Sequence, residues 1–151
     1  MKREVVILIA EDDDGHAALI QKNLKRAGII NTINRFKDGE ELMKYLYKDG
    51  KNLSLDVKYS YLFLLDIRMP KLDGVEVLKK IKSNSDLKKM PVIMVTTTDD
   101  PKEVASCHEY GCNSYITKPI DYEKFSEAIR QLGLFLMITE IPEFVVMDRI
   151  E

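Results

Sequence analysis

Three short runs, Val5 to Ala10, Leu62 to Leu65 and Val92 to Val95, are apolar at every position rather than at every second one. Strands of this kind are buried on both faces, as they are in parallel sheets. Ile30 to Phe36 alternates instead, with Thr32, Asn34 and Arg35 set among Ile30, Ile33 and Phe36, and Ser114 to Thr117 is short and half polar. These two segments predict edge strands. Between the strands lie segments of helical period: Ala17 to Lys25, Glu40 to Tyr47, Val75 to Lys82, Glu103 to Tyr110, and a last one from Tyr122 onward. The last carries Phe125, Ala128, Ile129 and Leu132 on one stripe. Gly28 and Gly111 stand just past two helix ends, where a left-handed cap residue is favoured. Strand and helix thus alternate five times, which predicts an α/β fold with a parallel sheet and helices on both faces, because each parallel crossover needs a connection and a helix supplies it. Ligands of such sheets bind at the carboxyl ends of the strands.

The length of 151 residues suits one domain and leaves little room for a second. With 23 basic and 25 acidic side chains the net charge is −2, which gives no general attraction to nucleic acid or anionic lipid. The longest nearly uncharged apolar stretch, Leu132 to Ile138, is far short of the roughly 20 residues of a spanning helix. With no secretory pattern ahead of the first apolar run, the expected compartment is the cytoplasm. Cys107 and Cys112 lack Cys-x-x-Cys spacing and read as ordinary thiols. His16 and His108, each alone on a helix, read as surface or packing residues. Lys79, Lys80, Lys82, Lys88 and Lys89 read as a solvated helix face. Lys48 to Lys58 reads as a long polar loop.

The carboxyl ends of the strands gather the chemistry. Glu11, Asp12, Asp13 and Asp14 follow the first strand, Asp66 ends the third, Thr96 to Thr98 end the fourth and Lys118 ends the fifth. Helix capping accounts for Asp13 and Asp14. It accounts poorly for Asp66, because Arg68, Met69 and Pro70 intervene before any helix and Asp73 is the better cap. Carboxylates converging at a sheet edge repel one another unless a cation lies between them. An oxygen-only set of this size suits Mg²⁺, which accepts one or two carboxylates together with a phosphoryl oxygen. Lys118 supplies a point charge for the same group and Thr96 a hydroxyl donor. An aspartate, a divalent cation, a lysine and a hydroxyl make a phosphoryl-transfer site.

The acid pair in Ile7-Leu-Ile-Ala-Glu11-Asp12, the block Leu64-Leu-Asp66-Ile-Arg-Met-Pro70-Lys-Leu-Asp-Gly74, the stretch Pro91-Val-Ile-Met-Val-Thr96 and Tyr115-Ile-Thr-Lys118-Pro119 resemble the receiver domain of two-component response regulators. The likeness runs from about residue 4 to 135. It implies a flavodoxin-like (βα)5 fold with strand order 2-1-3-4-5. It further implies that Asp66 is the phosphoacceptor, that Asp12 binds Mg²⁺ directly, that Glu11 binds it largely through water and Arg68 through its backbone carbonyl. Thr96 and Lys118 would hold the phosphoryl oxygens, Tyr115 would change rotamer when Thr96 moves, and Lys118-Pro119 would be a cis bond. The Thr96-Thr97-Thr98 triplet, the loop near residues 48 to 58, and Cys112 to Asp121 through Arg130-Gln-Leu-Gly-Leu134 resemble the stand-alone regulators of phytochrome kinases.

The resemblance implies a phosphoacceptor signalling protein rather than an enzyme acting on other substrates, with a histidine kinase, phytochrome-like in this subgroup, as donor and a downstream protein or a phosphotransfer protein as target. The expected organisation is a receiver domain over residues 1–140 and a tail over 141–151. Leu134 to Ile138 are apolar in succession after the helix stripe is already complete, and a helix apolar all round needs cover on more than one side. A homodimer through the last helix, the fifth strand and Phe144, Val145, Val146 and Met147 is expected; the alternative is a tail folded on its own domain. Two rival functions have specific demands. A haloacid dehalogenase-type phosphatase would want a second aspartate where Arg68 stands, and a receiver-shaped module indifferent to phosphorylation would normally have lost Asp66, one of the acid pair or Lys118.

Overall fold

A computed structural model describes residues 4–146. The elements are β1 (Val5–Ala10), α1 (Asp14–Arg26), β2 (Ile33–Phe36), α2 (Gly39–Leu46), β3 (Ser60–Leu65), α3 (Gly74–Ser83), β4 (Val92–Thr96), α4 (Pro101–Glu109), β5 (Ser114–Thr117) and α5 (Tyr122–Ile138). All strand pairs are parallel, in the order β2-β1-β3-β4-β5. The two segments read as edge strands are the two edges. Each helix begins behind an aspartate whose side chain accepts a first-turn backbone N–H: Asp13, Asp38, Asp73, Asp100 and Asp121. A cap of this kind is worth about 1 kcal/mol.

The fully apolar strands serve two cores at once, because successive side chains point to opposite faces. Val6, Leu8, Tyr61, Phe63, Leu65, Val92 and Met94 face α2, α3 and α4 through Leu42, Leu46, Val77, Leu78, Ile81 and Cys107. Ile7, Ile9, Leu62, Leu64, Ile93 and Val95 face α1 and α5 through Ile20, Leu24, Phe125, Ile129 and Leu132. Gly28 and Gly111 take the left-handed conformation at φ 104° and 101°, as their places past α1 and α4 predict.

Three expectations are corrected. β2 starts at Ile33 rather than Ile30: the Asn31 amide donates to the Val5 carbonyl in place of a backbone rung, and Ile30 points fully into solvent. The connection between α2 and β3 is not merely polar, since Leu53 and Leu55 are buried in the core while Asp49 closes a turn by accepting from the N–H groups of Lys51 and Asn52. The tail folds back on its own domain. Phe144 is fully buried with its ring edge-on to Tyr61, 5.5 Å between centroids, and Val146 joins the same core, so these two residues do not face a second copy. Val145 is exposed, and Met147 lies outside the described residues. Among the described residues no helix is long and apolar enough to cross a membrane.

Candidate functional site

Sheet register assembles the site. Ala10 stands opposite Leu65, and the Asp66 N–H donates to the Ala10 carbonyl at 3.0 Å, so Glu11 and Asp66 leave the sheet side by side. Thr96 stands opposite Thr117, and the Lys118 N–H donates to the Thr96 carbonyl at 2.6 Å, which sets Lys118 beside the end of β4. β1, β3, β4 and β5 therefore each deliver one or two polar residues to a common edge.

The carboxylates of Glu11, Asp12 and Asp66 offer oxygen atoms that lie within 4.8 Å of one another; Glu11 and Asp66 are buried and Asp12 is exposed. Lys118, 4% exposed, sits against this group and donates to Glu11 Oε1, to Asp66 Oδ2 at 3.2 Å and to His16 Nδ1 at 3.0 Å. The second oxygens are held too: Asp66 Oδ1 accepts from the Ile67 N–H at 2.7 Å and Glu11 Oε2 from the Asp13 N–H at 3.2 Å. Burial pushes the Glu11 carboxyl up to about 7, with the Asp66 charge adding and the Lys118 hydrogen bond opposing. Thr96 Oγ1 is buried and has no hydrogen-bond partner. A buried hydroxyl left open at the carboxyl end of β4 suits a ligand oxygen in that position.

The other expected residues lie one shell further out. Tyr115 is half-buried and its hydroxyl donates to the Thr98 carbonyl at 2.8 Å; burial pushes its phenol up to about 12. The Arg68 guanidinium reaches Glu103 at 3.2 Å, and the Thr98 hydroxyl donates to the same carboxylate at 3.1 Å. Arg68 thus has only its backbone to offer the carboxylate cluster. The Lys118–Pro119 bond is not cis, since the described residues contain no cis peptide; it takes the trans form that X–Pro bonds favour, and β5 still turns the lysine inward. His16 is also corrected, because it contacts Lys118 and does not merely pack or face solvent. A pointer was available: Asp13 caps α1 through the His16 N–H, which places this side chain in the helix turn nearest the acids.

The donor set fits a hard divalent cation: three clustered carboxylates and, among their neighbours, no thiol. A cation held there would neutralise the acids beside Lys118 Nζ.

Comparison with known proteins gives concordant findings. The family model for the response regulator receiver domain matches residues 7–130. The response regulator Rcp1 of Synechocystis is 33% identical over 134 residues, covering 89% of this chain and 90% of its own. The solved Mn²⁺-bound form of Rcp1 superimposes with a TM-score of 0.78 at 31% identity, covering 91% of this chain and 98% of the other. A receiver domain from Rhodospirillum rubrum reaches a TM-score of 0.89 at 44% identity, covering 93% and 99%. The phosphorylated cyanobacterial phytochrome response regulator RcpA gives 0.78 at 28% identity, covering 92% and 99%.

Proposed function

This chain belongs to the response regulator receiver family of two-component signalling, and we propose that it accepts a phosphoryl group on Asp66 from a histidine kinase and signals through the surface this changes. The observation that carries the reading is the convergence of Glu11, Asp12 and Asp66 with the buried Lys118 ammonium and the open Thr96 hydroxyl. Asp12, Asp66 and the Arg68 carbonyl would hold Mg²⁺ directly, with Glu11 engaged through water. When bound, the cation supplies charge neutralisation for the phosphoryl oxygens.

The chain's own residues do the rest. The Ile67 N–H holds Asp66 Oδ1 and so orients Oδ2, which keeps a lone pair beside its Lys118 contact, to attack the donor phosphorus in line; the phosphorus–nitrogen bond to the kinase histidine breaks as the acyl phosphate forms. Lys118 and Thr96 then hold the phosphoryl oxygens by an ion pair and a hydrogen bond. Tyr115, bonded to the Thr98 carbonyl two residues beyond Thr96, carries the change of the β4–α4 loop to the outer face. The protein catalyses only its own phosphorylation and dephosphorylation.

Similarity to Rcp1 and RcpA supports a phytochrome-like sensor kinase as the donor. The absence of a spanning helix among the described residues, together with a kinase donor, supports a cytoplasmic location. Leu134, Phe135, Met137 and Ile138 are exposed on α5 and supply an apolar surface for a homodimer, with Ile120 ahead of the helix. With Phe144 and Val146 internal, that interface is carried by α5 and β5.

Intact mass after incubation with Mg²⁺ and acetyl phosphate tests the reading. The wild type should gain one phosphoryl group, and Asp66→Asn or wild type with a chelator should gain none. Equal gain in Asp66→Asn refutes Asp66 as acceptor.

A further inference from the structure

Lys118 is the group on which the proposed chemistry turns, and its ammonium has three N–H donors. The structure accounts for all three, with Glu11 Oε1, Asp66 Oδ2 and His16 Nδ1 as acceptors. Two of these partners are carboxylates of the cation site. The third is an imidazole from α1, on the opposite edge of the cleft from β5 and 102 positions away in sequence. An Nδ1 that accepts from an ammonium carries no proton, so the ring is the neutral tautomer with its proton on Nε2.

His16 is fixed through both its backbone and its ring. Its backbone N–H donates to the Asp13 carboxylate at 2.9 Å, which fixes its place in the first turn of α1. Its ring makes a T-shaped contact with Phe125 of α5, 5.6 Å between centroids at 88°. The same Phe125 ring lies 6.0 Å from Lys118 Nζ, so one aromatic side chain underlies both partners. The imidazole remains 35% exposed, at the mouth of the site rather than within it.

We infer that His16 is a positioning residue for phosphoryl transfer, holding the Lys118 ammonium at the point where it meets the phosphoryl oxygens; the inference rests on the reading of Asp66 as phosphoacceptor. Without a third acceptor, a lysine with four rotatable side-chain bonds is drawn toward whichever of Glu11 and Asp66 is the more negative. With it, the ammonium has a third anchor on α1, set beside Glu11, whose Oε1 lies 4.0 Å from His16 Nδ1. The imidazole is also the only partner of the three that is not a carboxylate. Lys118 can exchange that bond for a phosphoryl oxygen without separating an ion pair, which a carboxylate in the same place would not allow.

Two variants separate this role from simple packing. His16→Phe keeps a ring against Phe125 and removes the acceptor. His16→Asn removes the ring and keeps an acceptor oxygen on the atom next to Cβ, where Nδ1 stands. Two readouts are taken: the rate of phosphorylation by acetyl phosphate with Mg²⁺, followed by intact mass, and the protected ¹H–¹⁵N signal of the Lys118 ammonium in protein that has met no phosphodonor, assigned with Lys118→Arg. The expected result is a rate loss of about tenfold in His16→Phe, the value of one hydrogen bond to a charged donor, with loss of the ammonium signal and retention of both in His16→Asn. The reverse order, or three proteins alike in both readouts, overturns the inference. If the ammonium signal follows the expected order but the folded wild type gains no phosphoryl group, the placement of Lys118 stands and the phosphoacceptor reading falls.

Discussion

Phe144 lies beyond the last helix, yet it is fully buried with its ring edge-on to Tyr61 in the core beneath α2 and α3. Truncating it to alanine removes a ring that core substitutions of this kind value at about 3–5 kcal/mol, including the cavity left behind. For a chain of this size each kcal/mol moves Tm by about 2–4 °C, so Phe144→Ala should melt about 6–20 °C below wild type. Tyr61 precedes Asp66 by five positions along β3, or about 16 Å at the usual rise, which puts the lesion at the far end of the sheet from the site. Phosphoryl capture at temperatures where the variant is folded should therefore match wild type. The assay is far-UV circular dichroism melting at a low and a high protein concentration, followed by intact mass after acetyl phosphate and Mg²⁺. A Tm drop below about 3 °C would show that the tail adds little to this core. A drop that depends on concentration would show that Phe144 is buried between two copies instead.

Three further outcomes follow from the site. A Cβ at Gly74 would stand 1.9 Å from the Asp66 carbonyl oxygen and 2.8 Å from its carbon, and backbone cannot yield as a side-chain tip can. Gly74→Ala should cost about 3 kcal/mol or more in urea denaturation and abolish phosphoryl capture by displacing Asp66; a folded, phosphorylatable variant would refute this. Burial lifts the Glu11 carboxyl from 4.5 to about 7, so the folded state holds a proton there that the unfolded chain has released. Glu11 thus favours folding below about 4.5, and that contribution is lost as pH rises through about 7. Stability should decline across this window in wild type and not in Glu11→Gln, as urea midpoints at several pH values will show. Because the cation site calls for the ionised carboxylate, Mg²⁺ affinity should also fall as pH drops below about 7, with equal slopes in both proteins counting against the assignment.

What the sequence determined alone was local and periodic. Runs such as Val5 to Ala10, apolar at every position, admit only a strand covered on both faces, and an aspartate ahead of a helical stripe admits a cap; both depend on neighbours a few positions away. Four motifs in order pointed to Glu11, Asp12, Asp66, Thr96 and Lys118, which the strand ends bring to one edge of the sheet. Tertiary structure decided which groups meet. Lys118 touches Glu11 across 107 positions and His16 across 102, and both contacts exist because β1, β3, β4 and β5 stop at one edge in a given register. His16 therefore read as a solitary surface residue until the sheet placed β5 opposite α1. The same holds for Leu53, Leu55, Phe144 and Val146, which sit in stretches with no helical or strand period. Their burial is set by the space that the sheet and helices leave open, and a hydrophobic side chain fills such space wherever the chain can reach it, because removal from water is non-directional and indifferent to sequence distance.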